Sequence, residues 1–281
     1  MKVAVIGATG VLGRPLIPRL VERGLQVRAI VRSPGQLAWF QRLGIEAVLG
    51  DILDENSLAP ATAGCDAAVH IATAVPKAGG IQDWSMNDRI RREGTRNFTA
   101  ACQANAVSKY VQQSIALLYG ENGTNQVDEG TAIQPGPITE SAADMEAIVQ
   151  NSSLDWCILR GGIFYGTGTG REDGWRQAAL TGNLQVPGDG TALISLIHVV
   201  DMARAIVLAV ERAAARSIYN VVDDQPVNFR SLFDTIAAQV NGPEPRLGGE
   251  AFLPSLGCSN RRIKQELGWE ALYPTYRSGL A

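Results

Sequence analysis

The chain has 281 residues, 46% of them hydrophobic and 19% charged, enough for one large α/β domain or a dinucleotide domain carrying a smaller lobe. A net charge of −3 argues against nucleic acid as the main partner, because phosphate binding calls for a basic excess. No apolar run approaches the ~20 residues of a membrane span, and the scattered cysteines 65, 102, 157 and 258 form neither a zinc pattern nor a compact disulfide framework.

Residues 3–6 read as a buried strand, so neither a leader nor any location but the cytoplasm is expected. A helix over 16–22, closed by Gly24, leads to a second strand over 27–31. Then come a helix over 37–43, a short strand over 46–49 and a strand over 67–71. A long helix is expected over 90–105, where Arg89, Arg91, Arg92 and Arg96 are interrupted by Asp88 and Glu93, the pattern of a solvated face. A strand over 109–113, a helix over 141–150 and a sixth strand over 156–159 follow. Continuously apolar strands alternating with amphipathic segments predict a Rossmann-type doubly wound parallel sheet with helices on both faces.

After Arg160 the texture changes. Residues 161–190 are glycine-rich and irregular around a helical 174–180, as a substrate loop or lid would be. Residues 193–198 and 217–222 look extended, 200–212 helical, and 227–240 helical with Asn228 as cap. One more helix is expected near 261–267. The expected division is a dinucleotide-binding domain over 1–160, to which 191–222 returns, and a smaller substrate and lid region from 161–190 and 223–281.

Directly between the first strand and the first helix stands GATGVLG, residues 7–13. Gly7 permits a tight turn, Gly10 lets backbone approach a pyrophosphate, and Gly13 allows close helix–strand packing. Thr9, Val11 and Leu12 complete a loop whose amides face the anion at a helix N-terminus. The second strand ends Ile30-Val31-Arg32-Ser33 with no acid nearby. An acid there would hold the ribose 2′-hydroxyl of NAD, whereas Arg32, with Ser33 and Arg14, suits the 2′-phosphate of NADP. Asp51 and Ile52 follow the third strand, where a carboxylate reaches the adenine amine. Ala72, Thr73 and Ala74 follow the fourth, where small residues let the cofactor approach. His70 and His198, the two histidines, read as structural, and no metal-ligand spacing is present.

Together these motifs resemble the extended short-chain dehydrogenase/reductase family, in its epimerase/dehydratase-like branch. The likeness runs through GDILD (50–54), HIAT (70–73), EGTRNFTAAC (93–102), SIALLYG (114–120), ILRGGIFYGTG (158–168), IHVVDMARAIVLA (197–209), YNVVDD (219–224) and LGWEALYPTYRSGL (267–280). It implies cofactor contacts from Gly162 and Ile163 too, and a homodimer through the helices at 90–105 and 141–150. The family's catalysis uses a serine or threonine after the fifth strand and a YxxxK pair on the next helix. Here Ile115 stands at the hydroxyl position with Ser114 one step before it, and Ile138 and Ala142 stand where tyrosine and lysine belong. No tyrosine in the chain has lysine four residues on. Tyr165 is the best-placed substitute acid by position, Ser114 the candidate to hold a substrate oxygen, and Tyr119 a packing residue or a further acid. Asp201 is expected to cap a helix, Arg160 to hold the loop or face the site, and Trp175 and Arg176 to contact substrate. Two functions remain open: an NADP(H)-dependent reductase or epimerase/dehydratase-like oxidoreductase on a small carbonyl or hydroxyl compound, and a cofactor sensor of the NmrA-like type that performs no turnover.

Overall fold

Val3, Ala4, Val5 and Ile6 are all buried, and a strand apolar on both faces belongs inside a sheet, not at its edge. The computed structural model describes residues 1–76, 83–251 and 253–280 and places that strand, β1 (Lys2–Ile6), between two parallel neighbours. In chain order there follow α1 (Gly13–Glu22), β2 (Gln26–Val31), α2 (Pro34–Arg42), β3 (Glu46–Leu49), α3 (Glu55–Thr62) and β4 (Ala67–His70). Then come α4 (Ser85–Arg89), a π-helical turn over Ile90–Gly94, α5 (Thr95–Ala104), β5 (Lys109–Ile115), β6 (Gln126–Val127), α6 (Glu140–Gln150) and β7 (Asp155–Gly161). The remainder comprises β8 (Ile163–Tyr165), α7 (Arg171–Leu180), β9 (Gln185–Pro187), β10 (Leu193–Ile194), β11 (Leu196–His198), α8 (Val199–Arg212) and β12 (Ser217–Val221). It closes with β13 (Val227–Asn228), α9 (Phe229–Gln239), β14 (Arg246–Gly249), β15 (Gly257–Cys258), α10 (Arg261–Leu267) and α11 (Tyr276–Gly279).

A seven-stranded sheet runs β12-β7-β5-β4-β1-β2-β3. The chain starts at β1, winds outward to β3, then crosses back to β4, so the strand order reverses between β1 and β4, where ligands of such sheets bind. The Rossmann doubly wound fold expected from the alternation is therefore present.

The chain divides into two compact units. The first comprises Met1–Ser114, Ile138–Leu159 and Ala203–Tyr219; the second comprises Ile115–Pro137, Arg160–Met202 and Asn220–Ala281. Within the first, Ile6, Leu58, Phe98, Tyr110 and Ile158 belong to one buried cluster. Within the second, Tyr165, Val186, Leu232 and Ile236 form a cluster of their own, and Tyr119, Val222 and Cys258 a smaller one. All four cysteines are buried. Among the described residues no helix is long and apolar enough to cross a membrane.

Some elements differ from expectation. α3 was not anticipated: it is short, carries Pro60 in its body, and has few bulky apolar residues to mark a face, although Asp54 caps it by accepting the Asn56 amide. The long helix starts at Ser85, earlier than residue 90, and passes through the π-helical turn, where Gly94 meets Ile52: a Cβ on it would stand 2.9 Å from Ile52 Cγ1. Val227 pairs in a strand, so the last large helix begins at Phe229, with Asn228 accepting the Ser231 amide at 2.7 Å as its cap. The extended run at 193–198 is two strands that break at Ser195 and pair with different partners, β13 and β8.

Candidate functional site

The turn from β1 to α1 is shaped by glycine. Gly7 has φ +93°, and a Cβ there would stand 2.6 Å from the Ala72 nitrogen, so no other residue fits without displacing backbone. A Cβ on Gly13 would collide with the Ala8 carbonyl. Gly10 is different: its amide donates to the Gly7 carbonyl at 2.9 Å, and that oxygen is the one atom an added Cβ would approach, at 3.2 Å. Its other side is open. No side chain caps α1, and the amides of Val11, Leu12 and Gly13 donate to no acceptor among the described residues. Unused amides at the positive end of a helix suit an anion, and the cradle fits the pyrophosphate of a dinucleotide. Thr9 is half-buried beside them and Val11 exposed.

The other first-unit candidates lie at neighbouring strand ends. Arg32 is exposed, and its guanidinium makes no ion pair among the described residues, while its amide donates to Gln36 Oε1 at 3.1 Å. Ser33 accepts the Gln36 amide at 3.3 Å and so caps α2, leaving its hydroxyl proton for another acceptor. Arg14 is exposed in the first turn of α1. Asp51 uses Oδ1 to accept the Leu53 amide at 2.9 Å, and Oδ2 has no partner among the described residues. Ile52 is buried, and its carbonyl accepts from Asn97 Nδ2 at 3.1 Å. Ala72 backs onto Gly7, Thr73 is exposed, and the Ala74 amide donates to buried Asn87 at 3.0 Å.

At the end of β5 the hydroxyl of Ser114 is buried and donates to Glu146 Oε1 at 2.6 Å. Glu146 is itself buried on α6. Ile138 is exposed just before α6, and Ala142, on that helix, is fully buried. Between them Ser141 accepts from the buried guanidinium of Arg91 at 3.1 Å, and burial pulls the Arg91 pKa down. His70, at the end of β4, contacts Gln112 Nε2 through Nδ1 at 2.6 Å, and Gln112 Oε1 accepts the Tyr110 hydroxyl. Burial lowers the His70 pKa to about 3, so the ring is neutral, and its Nε2 has no partner among the described residues. The Ser114–Glu146 contact was not foreseen. A buried acid four residues after Ala142 was the available signal, but nothing local says which strand it meets.

The second unit places its candidates in its own interior. Tyr165 is fully buried, with its hydroxyl 3.4 Å from the Thr275 carbonyl and its ring packed so closely on Gly279 that a Cβ there would overlap it. Burial, with the acidic Asp223, Asp201 and Glu172 nearby, drives the Tyr165 pKa far up. The Gly162 amide donates to the Val221 carbonyl at 3.0 Å, and an added Cβ would stand 2.6 Å from the Ser195 carbonyl. Ile163 donates its amide to that carbonyl at 2.8 Å and lines a cavity of this unit. Tyr119 donates to Asn220 Oδ1 at 2.8 Å, and burial pushes its pKa up to about 12 although the Arg160 guanidinium lies 4.9 Å from its ring centre. Asp201 lies inside α8, past the cap position expected for it, and its carboxylate accepts the Leu272 and Tyr273 amides, both at 2.8 Å. His198 accepts the Val200 amide and packs between Tyr165 and Tyr273. Arg176 donates to the Leu280 carbonyl at 2.8 Å. Asp223, not singled out before, is buried, and desolvation with Asp224 and Asp201 nearby pushes its carboxyl up to about 8.

Comparison with known proteins agrees with the cradle. A family profile described as NAD(P)H-binding matches residues 7–217. Over the whole chain and 99% of its partner, the sequence is 31% identical to a 3-diazoavenalumate denitrifying reductase from a Streptomyces species. It is 29% identical, over 86% of this chain and 77% of the other, to a 2-alkyl-3-oxoalkanoate reductase from Stenotrophomonas maltophilia. Among solved structures, the dTDP-glucose 4,6-dehydratase DesIV from Streptomyces venezuelae, with NAD and TYD bound, superposes with a TM-score of 0.87 at 22% identity, covering 100% of this chain and 95% of DesIV.

Proposed function

We propose that this chain, which belongs to the family described as NAD(P)H-binding, is a reductase that prefers NADP(H) and acts on a small carbonyl or hydroxyl compound. One observation carries the reading: the open glycine cradle and the exposed Arg32, at a strand end without an acid, occur in the same unit. When bound, the nicotinamide supplies a hydride. The Val11, Leu12 and Gly13 amides would hold the pyrophosphate, Asp51 would meet the adenine amine, and Arg32 with Ser33 and Arg14 would hold the 2′-phosphate. Ala72, Thr73 and Ala74 let the cofactor lie close to the backbone.

With Ile138 and Ala142 at the tyrosine and lysine positions, and Tyr165 buried with its pKa driven up, protonation falls to water or to the substrate itself. Ser114 and Tyr165 are structural in this reading, since Ser114 donates to Glu146 and Tyr165 packs inside its unit. A second reading follows from the same two residues. Hydride delivered to the ring carbon of an arenediazonium forms a C–H bond as the C–N bond breaks and N2 leaves, so that reduction needs no proton and no tyrosine–lysine pair. The 31% identical relative is named for a diazo compound and for denitrification, and a diazonium-type acceptor suits this chain for that chemical reason.

The test is a titration with NADPH and NADH, following quenching of the five tryptophans in the protein and in Arg32→Ala. NADPH is expected to bind about tenfold or more tighter, a difference of ~1.4 kcal/mol or more, and the variant to lose that margin while keeping NADH affinity. Equal or tighter NADH binding would overturn the cofactor preference.

A further inference from the structure

The second unit contains a cavity of about 360 Å³ formed by its own residues. Trp175 of α7 lies 5.7 Å from Phe233 of α9 at an interplanar angle of 59°, and Phe229 lies 5.7 Å from Phe233 at 66°. Ile163 and Ile194 add aliphatic surface to the lining. Among the described lining residues Arg171 is the one guanidinium; its Nε already donates to the Phe164 carbonyl at 2.9 Å, and Glu250 lines the same cavity with the opposite charge. A nucleotide diphosphate needs several cations or a cluster of amides. One arginine offset by one glutamate does not supply them. Aromatic walls instead favour a flat apolar group that leaves water on entering, and the volume is at the small end for a ligand site.

We propose that this cavity binds the one- or two-ring apolar part of a small substrate and rejects nucleotide-diphosphate sugars. The word substrate rests on the reductase reading above; the binding itself is measured without cofactor and stands or falls separately. The probes are 2-naphthoate and dTDP-glucose, titrated calorimetrically into the full chain. Saturable 2-naphthoate binding is expected, with no dTDP-glucose binding over the same concentrations. Trp175→Ala should weaken 2-naphthoate about tenfold, and Trp175→Phe should recover affinity to within about threefold of the parent. Asn183→Trp, at an exposed residue of the lining, tests the site without touching the apolar wall and should also weaken binding about tenfold. NADPH affinity should be unchanged in all three variants. Binding of dTDP-glucose as tightly as 2-naphthoate, or 2-naphthoate binding indifferent to both Trp175→Ala and Asn183→Trp, overturns the proposal. Intact 2-naphthoate binding with no NADPH binding would support the cavity and sink the reductase reading alone.

Discussion

In the first unit the candidate pyrophosphate cradle is backbone: three glycines, three open amides and a helix end. In the second it is side chain: an indole, two phenyl rings and aliphatic residues brought together from β8, α7, β10 and α9. A backbone surface recognises what every dinucleotide shares, and it tolerates almost no substitution because there is no side chain to yield. A side-chain surface recognises what one substrate class has, and it tolerates conservative exchange. On the proposed reading the two units divide recognition into an invariant part and an adjustable part, and three perturbations measure how sharp that division is.

The largest effect is expected from Gly7→Val. Its Cβ would press on the Ala72 backbone at a φ of +93° that valine avoids. Dinucleotide affinity should fall more than about a hundredfold, with 2-naphthoate affinity retained, as read by the two titrations. A parallel loss of both ligands would erase the division.

Next in size is the response to pH. His70 in the first unit has a folded pKa of about 3, below its unfolded value, so the unfolded chain takes up the proton first as pH falls. Its contribution is full above about pH 6.5 and is lost as pH drops toward 3. Asp223 in the second unit is shifted the other way, to about 8, so the folded form holds a proton that the unfolded form has released. Stability therefore falls as pH rises from about 4 through about 8. Thermal midpoints of the full chain across pH should show Asp223→Asn gaining stability at pH 8.5 but not at pH 4, and His70→Asn losing the acid-side slope. If either variant kept the parental slope on its own side, the assignment of that slope to that unit would be wrong.

Ser114→Ala should have the smallest effect. It removes the hydroxyl that donates to buried Glu146 Oε1 and should cost about 1–3 kcal/mol of stability through the loss of that buried hydrogen bond. Turnover per folded molecule should change little if Ser114 is structural. A drop in kcat with unchanged KM and unchanged melting temperature would instead make Ser114 catalytic.

Much of the fold was legible because its signals are local. Alternating apolar strands, GATGVLG between strand and helix, and the Asn228 cap each act within a few residues, and each appears where expected. α3 was hidden because Pro60 and small residues blur its period, and the break at Ser195 because two short strands with different partners read as one extended run.

By itself the sequence determined the doubly wound sheet, the dinucleotide cradle and the lack of a tyrosine–lysine pair, since each depends on which residue types stand at fixed short spacings. Only the tertiary structure decided that Ser114 meets Glu146, that Tyr165 packs against Gly279, that Gly162 lies against the Ser195 carbonyl, and that Trp175 and Phe233 share a cavity. Those pairs lie 32 or more residues apart along the chain. Their contacts are set by how whole elements pack, and no short-range pattern encodes that.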